Sequence, residues 1–180
     1  MKAKLLQRCA STENIATTET PAFKAWFSGS KVVGPHGMPL RVFHATNRSF
    51  DEFNMDAKAP KRPDFTSFQH KALGAFFASD PEDAEPYTEG NGSRIMPVYL
   101  RLTNPYKMTY GELFSIRTTS QAKKMRRDIE NLSHDGVWVS RNNPELDWWI
   151  AFRPDQIKSA IGNSGKFDPK SNSITSSLRS

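Results

Sequence analysis

The stretches of this chain able to form β-strands are short, and little helix separates them. Residues 40–45, 74–78, 95–102, 136–140 and 148–152 are β-branched, aromatic or aliphatic runs bounded by turn formers. Clear helical periodicity is confined to residues 119–132. There Ala122, Met125, Ile129 and Leu132 share one face, and Lys123, Lys124, Arg126, Arg127 and Asp128 lie mostly opposite. A doubly wound parallel sheet needs a helical crossover between successive strands, and this pattern does not supply them. The expected class is therefore α+β, with small antiparallel sheets and a few peripheral helices.

Local signals refine that outline. Residues 21–28 read as one or two helical turns with Phe23, Trp26 and Phe27 on an apolar face. Asp80 or Ser79 caps a helix with Pro81 in its first turn, running to about Tyr87 and ending at Gly90-Asn91-Gly92. Pro97 marks the 95–102 run for an edge or a bulge. Residues 155–161 read as a short turn or helix ending at Gly162. Residues 47–72 are the least regular part, a proline-rich and basic loop of the kind that often serves as a lid. The expected organisation is a flexible polar segment over 1–20, one domain over 21–168 and a flexible Ser- and Asn-rich tail over 169–180.

The net charge of +6 and the single Cys9 set limits on function. A basic chain favours anionic partners, among them dinucleotide phosphates, nucleic acid or an acidic protein face. One cysteine excludes an internal disulfide framework and a Cys-based zinc cluster, and the four histidines lack ligand spacing, so no metal is expected. No apolar stretch is long enough for a signal peptide or a membrane span. The expected setting is a cytoplasm, the chain's own or a host's. No P-loop or dinucleotide Gly-rich turn is present, so a nucleotide site here would not be of the Rossmann type.

Three signatures then fall in a telling order. Arg41-Val42-Phe43-His44-Ala45-Thr46 comes first, followed by Gly74-Ala75-Phe76-Phe77-Ala78-Ser79 with Tyr87 downstream. The run Trp148-Trp149-Ile150-Ala151-Phe152 leads into Pro154-Asp155-Gln156-Ile157-Lys158-Ser159. In this order they resemble the His-Tyr-Glu class of ADP-ribosyltransferases, which includes diphtheria toxin and the poly(ADP-ribose) polymerases. The resemblance is closer to the transferase domains embedded in phage and prophage polyvalent proteins, and it covers roughly residues 22–175.

The resemblance implies a split pair of small antiparallel β-sheets gripping NAD in a cleft, with NAD as the ADP-ribose donor substrate. It implies that His44 hydrogen-bonds a ribose hydroxyl, that backbone groups of Ala45 hold the nicotinamide amide, and that Tyr87 stacks on the nicotinamide ring. Phe76 falls where the class usually has its tyrosine. Thr46, Gly74, Phe77 and Trp148 complete the NAD-contacting set. Alternation makes one of Phe76 and Phe77 a core residue and the other a cleft residue, without saying which.

Cleaving the nicotinamide–ribose bond develops positive charge on the ribose, as glycoside cleavage does. A carboxylate close to that charge helps, contributing on the order of 3 kcal/mol. The position at which the family carries its catalytic glutamate holds Trp148, which has no carboxylate. The nearby candidates are Glu145 and Asp147, and on a regular strand both face away from the Trp148 side unless a bulge near Pro144 shifts the register. The expected function is mono-ADP-ribosyl transfer, with a protein acceptor favoured over nucleic acid, in a phage or bacterial effector setting. The alternative is a transferase fold that binds a partner and does no chemistry. A module binding nucleic acid through its basic surface is a third reading.

Overall fold

The computed structural model describes residues 17–56, 69–88 and 92–176. The proline-rich part of the expected lid, most of the 1–20 segment, the Gly90-Asn91 turn and the last four residues lie outside them. Among the described residues seven strands form the framework: β1 (Val42–Thr46), β2 (Ala75–Ala78), β3 (Arg94–Leu100), β4 (Tyr106–Thr109), β5 (Gly136–Ser140), β6 (Trp148–Ala151) and β7 (Ile157–Ser159). They are ordered β4-β5-β6-β2-β1-β3-β7, so the class is α+β. All neighbours are antiparallel except β4 and β5, which run parallel. That exception follows from the connection between them, which carries the helices α3 (Tyr110–Ser115) and α4 (Thr119–Asn131) as a crossover.

The sheet is continuous in order but not in strength. β1 pairs with β3 over five positions and β2 with β6 over four, whereas β1 and β2 meet at Phe43↔Ala78. The expected split lies at this seam, with β4-β5-β6-β2 on one side and β1-β3-β7 on the other. Pro97 sits inside β3 rather than on a sheet edge. Its carbonyl accepts a hydrogen bond from Ala160 N at 2.9 Å. Its nitrogen therefore also points to the β7 side, just past the last β3–β7 pair, where no ladder donor is needed.

Two apolar layers flank the framework. Phe76, Ala78, Trp148, Ile150, Val137 and Val139 face α3 and α4, with Leu113, Ala122 and Ile129 packed against them. Phe77, Trp149, Ala151, Val42, Val98 and Leu100 build the layer on the other face. A third cluster forms where α1 (Pro21–Phe27) docks, as its apolar face predicts: Phe23 lies 4.9 Å from Tyr99 and 5.0 Å from Phe167, ring to ring. Thr20 caps α1 by accepting from Phe23 N at 3.2 Å, and Pro21 fills the first turn.

Gly74 is required where β2 begins. A Cβ there would run into the carbonyl oxygen of Ala151 and lie 3.0 Å from Ile150 Cγ2. The β6 backbone comes so close that a side chain would push the two strands apart.

Three expectations need correction. Leu132 is 66% exposed, because the helix it was to extend ends at Asn131 and the chain turns away there. Residues 155–161 are a short 3-10 turn followed by the strand β7, rather than a turn or helix throughout. The buried Gln156 side chain makes that turn: its Oε1 accepts from Phe152 N and Arg153 N, and its Nε2 donates 2.7 Å to the Asp135 carbonyl. Within the expected loose tail Ser173, Ile174 and Ser176 are buried, while residues 169, 170 and 172 stay exposed. Ile174 is buried and trades backbone hydrogen bonds with Ser159 and Asp51, both at 2.8 Å. The fully buried Lys158 Nζ donates to the carbonyls of Ser171 (2.6 Å) and Ser173 (2.9 Å).

Candidate active site

His44 stands at the seam. Ladder pairing between β1 and β2 stops at Phe43↔Ala78, and one step further on the imidazole spans the gap, its Nδ1 lying 2.8 Å from the Phe76 carbonyl oxygen. A carbonyl can only accept, so Nδ1 carries the proton. Burial lowers the His44 pKa below the usual histidine value; the hydrogen bond to Phe76 opposes that and the Lys71 charge adds to it. The ring is therefore neutral at pH 7, and its Nε2 presents a lone pair that no described residue engages. Two rings fix the imidazole plane: Phe53 at 4.9 Å and Phe77 at 5.4 Å, centroid to centroid.

The backbone around His44 is equally constrained. Because Pro97 directs its polar groups away from β1, the Phe43↔Pro97 pair is not hydrogen-bonded, and alternation turns the backbone groups of Phe43 and Ala45 toward β2. Those of Ala45 lie beyond the last β1–β2 pair, at the parting of the strands. Thr46 follows at the end of β1, where its Oγ1 accepts from Arg48 N at 3.1 Å.

The alternation left open at Phe76 and Phe77 is now resolved by face. Phe77 shares the His44 side, opposite Trp149 across β6. Phe76 lies on the other side, 5.6 Å from the buried His70 ring, which in turn lies 4.9 Å from Phe114. Burial, reinforced by the Lys71 charge, lowers the His70 pKa to about 4. Tyr87 sits in the 3-10 turn that directly continues α2 (Pro81–Ala84). Lys71 Nζ lies 5.6 Å from the Tyr87 ring centroid, so a cation borders Tyr87. Asp80 caps α2 by accepting from Glu82 N at 2.7 Å, the cap the sequence offered along with Ser79.

The two carboxylate candidates fare differently. Asp147 is 2% exposed and both of its oxygens are engaged, Oδ2 by Trp138 Nε1 at 2.6 Å and Oδ1 by Arg141 N at 2.8 Å. It pins the turn between β5 and β6 and is committed to that task. Glu145 is exposed in the 3-10 turn Pro144–Leu146, and its backbone N–H donates to the capping Asn143 side chain. That turn ends at the extended Asp147, and Trp148 pairs in regular register with Ala78 and Val139. No bulge carries either carboxylate onto the Trp148 face.

Trp148 is nearly buried and firmly held. Its Nε1 donates to Asp83 Oδ2, its ring lies 5.5 Å from Tyr110 and 6.3 Å from Phe114, and the Arg141 guanidinium sits 5.1 Å over it. Arg141 also pairs with Asp83 Oδ2 and covers Tyr110 at 5.2 Å. An open recess lined by Thr109, Tyr110, Gly111, Ser140, Arg141 and Asn142 adjoins this cluster. Sequence reading missed Asp83, Arg141, Lys71 and His70. The helical spacing of Asp83 and Tyr87 offered a hint for the first, and no local pattern marked the others.

Among the described residues, no helix is long and apolar enough to cross a membrane, and no group of three or more His, Cys, Asp or Glu could hold a metal ion. No curated protein and no solved structure matches the chain. A family model does: residues 35–167 match that of the ADP-ribosyltransferase in polyvalent proteins. The match takes in His44 at the seam, Tyr87, Trp148 and the Gln156 turn, and the chain belongs to this ADP-ribosyltransferase family.

Proposed function

We propose that the protein is a mono-ADP-ribosyltransferase that cleaves NAD and passes ADP-ribose to a protein acceptor, working in a cytoplasm as a phage or bacterial effector. The observation that carries this reading is the seam. There a neutral His44 is locked by Phe76, Phe53 and Phe77, with an Nε2 lone pair that no described residue engages. That lone pair is suited to accept from a ribose hydroxyl. The backbone N–H and C=O of Ala45 are suited to a primary amide such as that of nicotinamide, which offers one donor and one acceptor. Tyr87 offers an aromatic face, and Lys71 beside it favours an anionic diphosphate. The reading adds Thr46, Gly74, Phe76, Phe77 and Trp148 to the NAD-contacting set.

In the reaction the bond between ribose C1′ and the nicotinamide nitrogen breaks, and its electron pair leaves with nicotinamide, neutralising the ring. The acceptor's nucleophilic atom then bonds to C1′ and releases its proton. The protein's part is to clamp the ribose through His44 and to place negative charge near the developing cation. The second reading, a partner-binding fold without chemistry, draws on one observation: a Trp148 indole packed where the family has its glutamate.

Incubating the protein with adenylate-labelled NAD and host lysate separates the two. Label fixed to a protease-sensitive acceptor, and absent with His44→Ala, supports the transferase. Label that disappears with nuclease would replace the protein acceptor by nucleic acid. No fixed label, together with partner capture that survives His44→Ala, would establish the binding fold instead.

A further inference from the structure

We propose that Asp83 supplies the catalytic carboxylate of this site, taking on from α2 the task for which β6 presents only Trp148. The inference rests on the transferase reading and names the residue that the reading leaves open. Three carboxylates lie near the start of β6. Asp147 is buried, with both oxygens engaged by Trp138 and Arg141 N. Glu145 is exposed in the turn before β6, and its carboxylate makes no hydrogen bond or ion pair with the described residues. Asp83 alone among them touches Trp148, and it comes from the element that leads directly into Tyr87.

The geometry of Asp83 suits the role. Trp148 Nε1 and Arg141 Nη1 both converge on Oδ2, so two donors from β6 and the β5–β6 turn fix the carboxyl group from one side. Oδ1 takes no hydrogen bond from the described residues. The side chain is 22% exposed, buried enough to be held and open enough to be reached. Ala84, next along α2, packs in the same apolar layer as Phe43, Ala45 and Phe76, which keeps α2 against the seam. The oxygen left over can accept from a ribose hydroxyl and stabilise positive charge as the nicotinamide bond breaks. No proton need be supplied, because nicotinamide leaves neutral. Trp148 is then a positioning residue that orients the carboxylate.

The test is steady-state nicotinamide release from NAD by the full chain, comparing wild type, Asp83→Asn and Glu145→Gln, with thermal melts of each. Asn can still accept from Trp148 and Arg141, so the fold and the Trp148 pose should survive. The expected result is a fall in kcat of about a hundredfold for Asp83→Asn. KM for NAD should stay within about threefold, the melting temperature should hold, and Glu145→Gln should lose less. Wild-type release with Asp83→Asn equally active would overturn the proposal and leave the transferase reading intact. A loss seen instead in Glu145→Gln, or one that follows KM or the melting temperature, would overturn it too. No release from wild type would remove the transferase reading and this assignment with it.

Discussion

Replacing Asp147 by alanine tests whether this carboxylate builds the fold or performs the chemistry. The side chain is 2% exposed and accepts from the Trp138 indole N–H at 2.6 Å and from the Arg141 backbone N–H at 2.8 Å. Hydrogen bonds to a charged group contribute about 1.5–3 kcal/mol each, and removing the acceptor leaves the donors unsatisfied. Partial relaxation of the exposed turn at residues 142–146 offsets some of this, so the net loss is about 3–5 kcal/mol. In a domain of this size each kcal/mol moves the melting temperature by roughly 2–4 °C, giving a fall of about 6–20 °C. Asp147→Asn should fall about half as far, since one oxygen is kept while its amide opposes a donor. Differential scanning fluorimetry measures both, and nicotinamide release by the still-folded fraction, at a temperature below the transition, measures chemistry. Unchanged melting with release abolished would refute the structural assignment and return Asp147 to the catalytic set.

Two further expectations follow from buried titratable groups. His70 titrates near 4 in the folded protein, because of burial and then the Lys71 charge, against about 6.5 when unfolded. Its contribution to stability is thus full above pH 6.5 and is lost as the pH falls toward 4, while the unfolded chain takes up the proton first. Urea unfolding between pH 7 and 4 should show this decline, with His70→Phe flattening part of it; identical profiles would contradict the assignment. Lys158→Met leaves the carbonyls of Ser171 and Ser173 without their donor, for a loss of about 2–4 kcal/mol. Limited proteolysis should then cut within residues 169–176, and resistance equal to wild type would show that other contacts hold that segment.

Much of the framework is legible because burial writes itself into alternation and capping. Residues 21–27 carry three apolar residues on one face, and they form the helix that this signal describes, capped by Thr20. The five β runs are strands, displaced by a residue or two at their ends. What local pattern cannot show is a long-range partner. Residues 169–176 look like a polar tail because their anchors lie outside the segment, Lys158 on β7 and Asp51 in a distant part of the chain. β7 reads as a turn because its strand character depends on β3 and on the Gln156 amide bonds to residues 135, 152 and 153.

The site divides along the same line. His44 and Tyr87 are visible as signatures, and strand parity correctly places Asp147 on the face opposite Trp148. Which of Phe76 and Phe77 joins His44 needs the register of β2 against β6, which periodicity alone does not supply. Asp83 escapes notice because it sits in an ordinary acidic first turn. Its meaning arises only when β6 brings Trp148 beneath it.

The central claim is that the seam at His44 is an NAD-cleaving site. The most direct measurement is nicotinamide release from NAD by the purified full chain and by His44→Ala, with lysate present and with melting temperatures recorded for both. The account predicts release by wild type and a fall of at least a hundredfold in His44→Ala, the order lost with one positioned polar contact in a dry site, at a melting temperature that shows both proteins folded. Release by His44→Ala equal to wild type, or none from either protein, would contradict it.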